Sequence, residues 1–173
     1  DNYGYRSGIN QSMIKHLASI TGDIKKIVNF NKGDYVLDIA SNDGTLLKTY
    51  KFSKLNYVGI DPTIARFKNF YPKKFKTKST FFSKKQYLNL SKDKKAKAIT
   101  SIAVFYDIIN PDGFMSDIKS ILHNKGIYVM EQSYLPILLK NNGYDSICHE
   151  HLTYFTLKQI RHLCEKNDLK IIK

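Results

Sequence analysis

The segment ICHEHLTYF at 147 to 155 gathers side chains that could carry out proton transfer. An imidazole has an ordinary pKa of about 6.5, so much of it can accept a proton at neutral pH. If the segment is extended, His149 and His151 point to one face and Glu150 to the other, because side chains alternate along a strand. The segment would then supply a base beside a carboxylate. The same residues could also be ordinary polar groups on an edge strand.

The two histidines do not predict a metal site. Histidines one residue apart can share a metal ion, but no third ligand follows at a recognisable spacing, and neither HExxH nor a CxxC pair is present. The two cysteines, Cys148 and Cys164, form neither a disulfide framework nor a metal-binding pair. We therefore expect no metal, and a reducing cytoplasm suits two free thiols.

A second group of candidate residues follows the first predicted strand, in VLDIASNDGTLL at 36 to 47. Small residues in such a turn let the backbone approach a ligand, and asparagine tolerates a left-handed conformation and can cap the following helix. The predicted cofactor-binding residues here are Asp38 near the strand end, Ala40, Ser41 and Asn42 in the turn, and Gly44 at the helix start.

The second predicted strand ends in YVGIDP and places Asp61 about 20 residues beyond this loop. A carboxylate there can accept hydrogen bonds from both hydroxyls of an adenosine ribose, and Pro62 suits the position after a strand. The loop lacks the GxGxxG arrangement that holds a pyrophosphate, so S-adenosylmethionine fits better than NAD. We add Phe82 and Ser101, from the next two predicted strands, to the cofactor-binding set.

The order of elements predicts an α/β fold of the Rossmann-like class, with a doubly wound, mostly parallel sheet and helices on both faces. Predicted strands lie at 35–40, 56–60, 80–82, 98–104 and 127–130, and another begins at 169–172. Helical spacing covers 8–30, as one helix or a broken pair with Thr21 or Asp23 capping the second half. We expect a helical cap segment at 1–30 and a cofactor-binding domain at 31–173, as a fragment of a longer protein.

The formal net charge of +13 invites a nucleic-acid interpretation. However, all but Arg6, Arg66 and Arg161 of the 28 basic residues are lysine, a bias that an AT-rich coding sequence would produce. The run YPKKFKTKSTFFSKK at 71 to 85 could bind a single strand or be a solvated face. It could also attract an anionic small substrate. No window reaches the roughly 18 apolar residues of a membrane helix, and the N-terminus lacks signal-peptide architecture.

With these motifs, the chain resembles the class I S-adenosylmethionine methyltransferases, and more narrowly the sugar C-methyltransferases that act on nucleotide-linked deoxy-ketosugars. Family members are similar in having a zinc-binding segment before the first shared motif and a further Rossmann-like domain after the last. The chain departs from the family at Ala40, where the fuller pattern has glycine, and at Cys148, where some relatives have tyrosine. The resemblance rests on YGYRSGIN at 3–10, VLDIASNDGTLL at 36–47, GIDPT at 59–63, EQSYLP at 131–136 and GYDSICHEHLTYF at 143–155, the last being the most specific.

The resemblance implies a mechanism in which a base removes the proton next to a ketone and the resulting enolate attacks a sulfonium methyl group. It implies that His151 is the base, that Glu150 orients or polarises the reacting centre, and that Tyr3 or Tyr5 donates to the enolate. The implied partner is a nucleotide sugar, with neither a nucleic acid nor a membrane. The oligomeric state cannot be read from the residues. Two alternatives stay open: a nucleic-acid or other small-molecule methyltransferase, and a noncatalytic cofactor-binding domain.

Overall fold

The computed structural model of the chain describes residues 4–172, which form helices and strands in alternation. The five strands are β1 Tyr35–Ile39, β2 Asn56–Ile60, β3 Lys76–Lys78, β4 Ala96–Ile102 and β5 Leu122–Glu131. The α-helices of this range are α1 Gln11–Ile27, α2 Thr45–Thr49, α3 Ile64–Phe67, α4 Lys84–Ser91, α5 Pro111–Ile121, α6 Leu135–Lys140 and α7 Leu157–Lys166. Short 3₁₀ turns cover Ser7–Ile9, Lys68–Phe70, Phe105–Asp107 and Tyr144–Ser146.

The strands form one five-stranded parallel sheet in the order β3-β2-β1-β4-β5. Tyr35 lies opposite Asn56 and Ile39 opposite Ile60 in the pairing of β1 with β2. The strand order reverses between β1 and β4, and in such sheets ligands bind at the carboxyl ends of the strands beside this reversal. The predicted α/β class is therefore confirmed, and β1 and β2 position the predicted loop and Asp61.

The first compact unit contains the residues up to Thr100 and Ile121–Val129. In β1 and β2 every residue after the first is buried, because a parallel sheet is covered on both faces. The core of this unit includes Val36, Leu37, Val58, Ile60 and Ile99.

The amino-terminal helical pattern forms one unbroken helix, α1. The Asn10 side chain caps it by accepting hydrogen bonds from the backbone N–H of Ser12 and Met13, at 2.9 and 3.3 Å. The predicted second cap at Thr21 or Asp23 is wrong. Thr21 is buried inside the helix, and its hydroxyl pairs with the Thr49 hydroxyl at 2.8 Å.

Two predicted strands are also corrected by the structure, and one helix was not predicted. The third strand lies at Lys76–Lys78 and not at 80–82, because Val58 to Ile60 align it four residues earlier. The helix α4 was not predicted, although Ser83 caps it through a hydrogen bond from Gln86 N–H at 3.4 Å. At 169–172 the chain does not form the predicted strand, and Leu169 N–H donates to Cys164 O at 2.8 Å, which closes the end of α7.

The second compact unit contains Ser101–Ser120 and the described residues from Met130 onward. Its core includes the rings of Phe105, Phe114 and Phe155, with centroids 5.6 Å apart for the first two and 5.1 Å for Phe105 and Phe155. Tyr134 forms a parallel bridge with Phe155, and Ala103 N–H donates to Glu131 O at 2.8 Å. The bond of Ala103 joins the segment after β4 to the end of β5, and the bridge of Tyr134 joins the segment after β5 to the end of the histidine motif.

Candidate functional site

The loop after β1 places every second residue in the left-handed backbone region, with φ of 55° at Ala40, 49° at Asn42 and 73° at Gly44. Glycine reaches this region freely, asparagine tolerates it, and alanine is strained there. Glycine is needed at position 44 for a second reason, since an added Cβ would lie 2.6 Å from the Tyr71 ring. The loop is therefore tightly turned, as predicted. The Tyr71 hydroxyl supports it by donating to Asn42 O at 2.8 Å.

Asp61 lies buried at the carboxyl end of β2 and reaches the loop. One carboxylate oxygen accepts Asn42 N–H at 2.8 Å, and the other accepts the Thr63 N–H and hydroxyl at 2.6 and 2.5 Å. A carboxylate has about four acceptor positions, so one position on the oxygen facing Asn42 stays available. Asp61 thus fits the predicted ribose-binding role while also fixing the loop.

Asp38 is buried in β1 beside the loop and accepts a hydrogen bond from the Thr100 hydroxyl of β4 at 2.6 Å. Burial, with a smaller contribution from the Asp61 charge, raises the pKa of Asp38 to about 7, against the opposing effect of the Thr100 bond. Ser41 completes the group, with its hydroxyl 2.8 Å from the Tyr71 hydroxyl. The structure therefore brings the predicted loop residues together with Asp61.

Asp43 is a buried residue of the loop that the sequence reasoning missed. Its carboxylate accepts the Thr45 N–H and hydroxyl at 3.1 and 2.5 Å, which starts α2. This is the capping role that the sequence assigned to Asn42. The signal was present, because an aspartate two residues before a helix-starting threonine commonly bonds to backbone N–H groups nearby.

The amino-terminal segment at 5–8 lies against the same loop. Gly8 N–H donates to Asp43, the Asn42 side chain accepts Ser7 N–H at 3.0 Å, and the same side chain donates to Tyr5 O at 3.0 Å. The Arg6 guanidinium lies 3.3 Å from the Asp43 carboxylate. The Tyr5 side chain itself is partly exposed, and Tyr3 lies outside the described residues.

The remaining predicted cofactor residues lie at three strand ends. Pro62 follows Asp61, is exposed, and its carbonyl accepts the Ser79 hydroxyl at 2.7 Å. Phe82 is half-buried beyond β3, outside any strand. Ser101 is fully buried in β4. Ser101 belongs to the second compact unit.

The histidine motif does not have the extended conformation that would place His149 and His151 on one face. A turn occupies His149 and Glu150, and His151 N–H donates back to Cys148 O at 3.3 Å. The turn separates the two histidines. His149 is exposed and its Nε2 lies 3.4 Å from the Glu150 carboxylate, which is exposed as well, whereas His151 is half-buried.

The His151 ring is held in one orientation by its neighbours. Its Nδ1 lies 2.7 Å from Ser146 O, and a carbonyl can only accept, so Nδ1 carries the hydrogen. The lone pair of the neutral ring is therefore on Nε2. The Tyr106 ring lies 4.2 Å away, centroid to centroid, and the Tyr154 hydroxyl donates to the same Ser146 carbonyl at 3.0 Å. The sequence reasoning missed these supporting residues because they lie far apart in the chain.

Asp107 lies next to Tyr106 in the turn that follows β4, and one of its carboxylate oxygens is buried without a hydrogen-bond partner. Burial raises the pKa of Asp107, the His151 charge lowers it and the Glu150 charge raises it. No sequence signal singled out this residue.

A separate recess of about 720 Å³ in the second unit has a largely apolar lining that includes Leu135, Phe155 and Leu163 and does not include His151. Among residues 4–172, no group of three or more histidine, cysteine or acidic side chains could hold a metal ion. In the same range, no helix is long and apolar enough to cross a membrane.

Comparisons with known proteins define the class. A family model described as a methyltransferase domain matches residues 13–173. The chain belongs to this family, and the fold and family together define an S-adenosylmethionine-dependent methyltransferase.

Among individual proteins, the chain is 25% identical over 174 residues to the C-methyltransferase NovU of Streptomyces niveus. That match covers 99% of this chain and 41% of NovU, so the chain spans less than half of that relative.

Solved structures support the fold. The plantazolicin methyltransferase BpumL, solved with a desmethylPZN analog and S-adenosylhomocysteine, aligns with a TM-score of 0.66 at 17% identity, over 91% of this chain and 64% of that one. The cyclopropane synthase MmaA2 of Mycobacterium tuberculosis aligns with a TM-score of 0.64 at 14% identity, over 91% of this chain and 60% of that one.

Proposed function

We propose that this methyltransferase transfers a methyl group to carbon, on a nucleotide-linked deoxy-ketosugar, through an enolate. The likeness to NovU supports transfer to carbon. The sugar substrate is supported by the resemblance of the histidine motif. The observation that carries the proposal is the 2.7 Å contact of His151 Nδ1 with Ser146 O, because it leaves Nε2 ready to act as a base.

His151 would remove the proton from the carbon next to the ketone. The proton moves to Nε2, and the electron pair stays on the substrate as an enolate, whose negative charge needs a hydrogen-bond donor. We assign that role to Tyr5 or Tyr3. The support for Tyr5 is its position on a segment whose backbone is tied to Asn42 while its ring stays partly exposed.

The cofactor would be held at the first loop, with Asp61 accepting a ribose hydroxyl and the left-handed residues allowing close approach of the backbone. Asp38, Ser41, Pro62, Phe82 and Ser101 are proposed as further binding residues. When bound, S-adenosylmethionine supplies the electrophilic methyl group. We also propose residues 1–30 as a cap, supported by the contacts of Ser7 and Gly8 with this loop. A cytoplasmic location is supported by two free thiols.

Glu150 keeps a secondary place in the proposal. Its contact with His149 and its exposure support a role in orienting the substrate, and not in direct support of His151.

The test is deuterium uptake at the carbon next to the ketone, followed by NMR in D₂O with the full chain, a nucleotide-linked deoxy-ketosugar and no cofactor. We expect wild-type exchange, a loss of about 100-fold or more in His151→Gln, and exchange within about twofold of wild type in His149→Gln. The two variants remove matched imidazoles from the same turn. Wild-type protein that is folded and binds S-adenosylhomocysteine, yet does not exchange deuterium with any ketosugar tried, would contradict the enolate mechanism.

A further inference from the structure

We propose that Asp107 is a positioning residue for the reaction that acts through His151, because its carboxylate stabilises the imidazolium that forms on proton uptake. This inference rests on the proposed role of His151 as the base.

The backbone fixes Asp107 close to the histidine motif. Asp107 ends the 3₁₀ turn Phe105–Asp107, and Tyr106 O in that turn accepts the backbone N–H groups of Leu152 and Thr153 at 3.0 and 3.1 Å. The Tyr106 ring contacts the His151 ring. The turn that carries Asp107 is thus bonded to the two residues that directly follow the proposed base.

The burial of Asp107 supplies a reason for a charged partner. A buried carboxylate oxygen without a hydrogen bond is costly, and the cost falls when a positive charge forms nearby. Burial raises the pKa of Asp107 and the His151 charge lowers it, so the carboxylate and the imidazolium stabilise one another. By thermodynamic linkage, each of these two charges must favour the other by the same free energy.

The other groups facing His151 do not replace this role. Tyr106 and Tyr154 contribute neutral rings at 4.2 and 6.3 Å, and Ser146 contributes its carbonyl at Nδ1. Glu150 is charged, but its side chain is 66% exposed and lies beside His149, so solvent screens it. The proton released from substrate carbon stays on His151 Nε2. Asp107 takes up no proton and only offsets the new positive charge.

The first test is NMR titration of the His151 ring in the full chain, without substrate. The ring signals are assigned from the spectrum of His151→Gln. If Asp107 and His151 act as a pair, Asp107→Asn should lower the titration midpoint of the ring, because an opposite charge is lost. Asp145→Asn is the matched control, since Asp145 also lies in a 3₁₀ turn but is exposed, and it should leave the midpoint unchanged. An unchanged midpoint in folded Asp107→Asn would overturn the proposal.

A reciprocal measurement covers the case in which Asp107→Asn does not fold. The carboxyl carbon of Asp107 is titrated in wild type and in His151→Gln, and the midpoint should rise in the variant, where the imidazolium charge is missing. No change would count against the pair. Neither titration needs turnover, so both decide this proposal even where the exchange assay fails.

Where the exchange assay succeeds, Asp107→Asn should lower kcat by about 10- to 100-fold with KM for the ketosugar nearly unchanged, and should shift the acid limb of the pH profile downward. A merely structural role would leave that limb in place. A rise in KM alone would mean that Asp107 contacts the substrate and does not act through His151.

Discussion

The loop at 40–44 and the histidine segment at 146–154 are held in place by different kinds of hydrogen bond. Around the loop, the buried side chains of Asp38, Asp43 and Asp61 accept hydrogen bonds from neighbouring residues. In the histidine segment, most bonds come from the backbone, and the side chains of His149 and Glu150 are exposed. The loop is therefore held by buried side chains, while the histidine segment leaves the side chains of His149 and Glu150 exposed to solvent.

This difference matches the two tasks that a methyltransferase has to perform. Under the proposed function, the cofactor needs a fixed binding site, and the proposed residues lie on rigid elements at the carboxyl ends of β1 and β2. The substrate would need adaptable polar groups next to one well-oriented base, and His151, the proposed base, is the oriented imidazole of the segment.

The largest expected effect concerns the pH dependence of stability, because β1 buries the Asp38 carboxylate beside the loop. The pKa of Asp38 is raised to about 7 from 3.8, so between pH 4 and 7 the folded state binds more protons than the unfolded state. Stability relative to Asp38→Asn should therefore fall as pH rises through this window, by up to about 4 kcal/mol. Urea unfolding of both proteins at several pH values measures the difference.

Asp112 in the second unit gives the opposite sign and sharpens the comparison. Hydrogen bonds from Lys166 and Asn167 lower the pKa of Asp112, so its contribution is present above pH 4 and lost as pH falls below it. The free energy of unfolding of Asp112→Asn should thus differ from that of wild type in its pH dependence only below about pH 4.

A wild-type protein that gains stability relative to Asp38→Asn between pH 4 and 7 would contradict the Asp38 prediction, because it would show that the buried Asp38 carboxylate is charged at little cost.

The next effect is on cofactor affinity. Asp61→Ala removes the proposed charge-assisted bond to the ribose and the acceptor of Asn42 N–H, so calorimetry should show the Kd for S-adenosylhomocysteine rising about 100-fold. Asp34→Ala is the control, because Asp34 pairs with Lys97 just before the amino end of β1. The control and His151→Gln should bind within about threefold of wild type. Equal losses in Asp61→Ala and Asp34→Ala would indicate general destabilisation and not a ribose contact.

The sequence predicted the loop side of this comparison better than the histidine side. In the loop, local rules suffice: small residues mark the turn, and an acidic residue at the end of the next strand follows from the order of elements. Asp38, Gly44 and Asp61 accordingly lie where the pattern placed them. Even there, the capping role moved from Asn42 to Asp43, because both residues are able to cap and the tertiary contacts of Asn42 decided between them.

The histidine side depends on contacts between distant parts of the chain. An extended segment would have placed His149 and His151 on one face, but a turn forms at His149 and Glu150, and the carbonyl of Tyr106 accepts the N–H groups of Leu152 and Thr153. Neither this capture nor the burial of Asp107 has a local sequence signal. The same limit explains the misplaced third strand, whose register is set by β2.

The smallest expected effect compares backbone strain in the loop with backbone strain at Ala103, in the second compact unit. Ala40 in the loop and Ala103 after β4 have φ of 55° and 54°. Left-handed backbone costs alanine about 1 to 2 kcal/mol, and glycine loses about 0.4 to 1 kcal/mol through unfolded-state entropy. Ala40→Gly and Ala103→Gly should therefore each raise the free energy of unfolding by about 0.5 to 1 kcal/mol. Ala18→Gly within α1 should lower it by about 1 kcal/mol. A rise in the free energy of unfolding for Ala103→Gly without one for Ala40→Gly would mean that contacts of the Ala40 methyl group offset its strain. The loop would then be stabilised by side-chain packing as well as by hydrogen bonds.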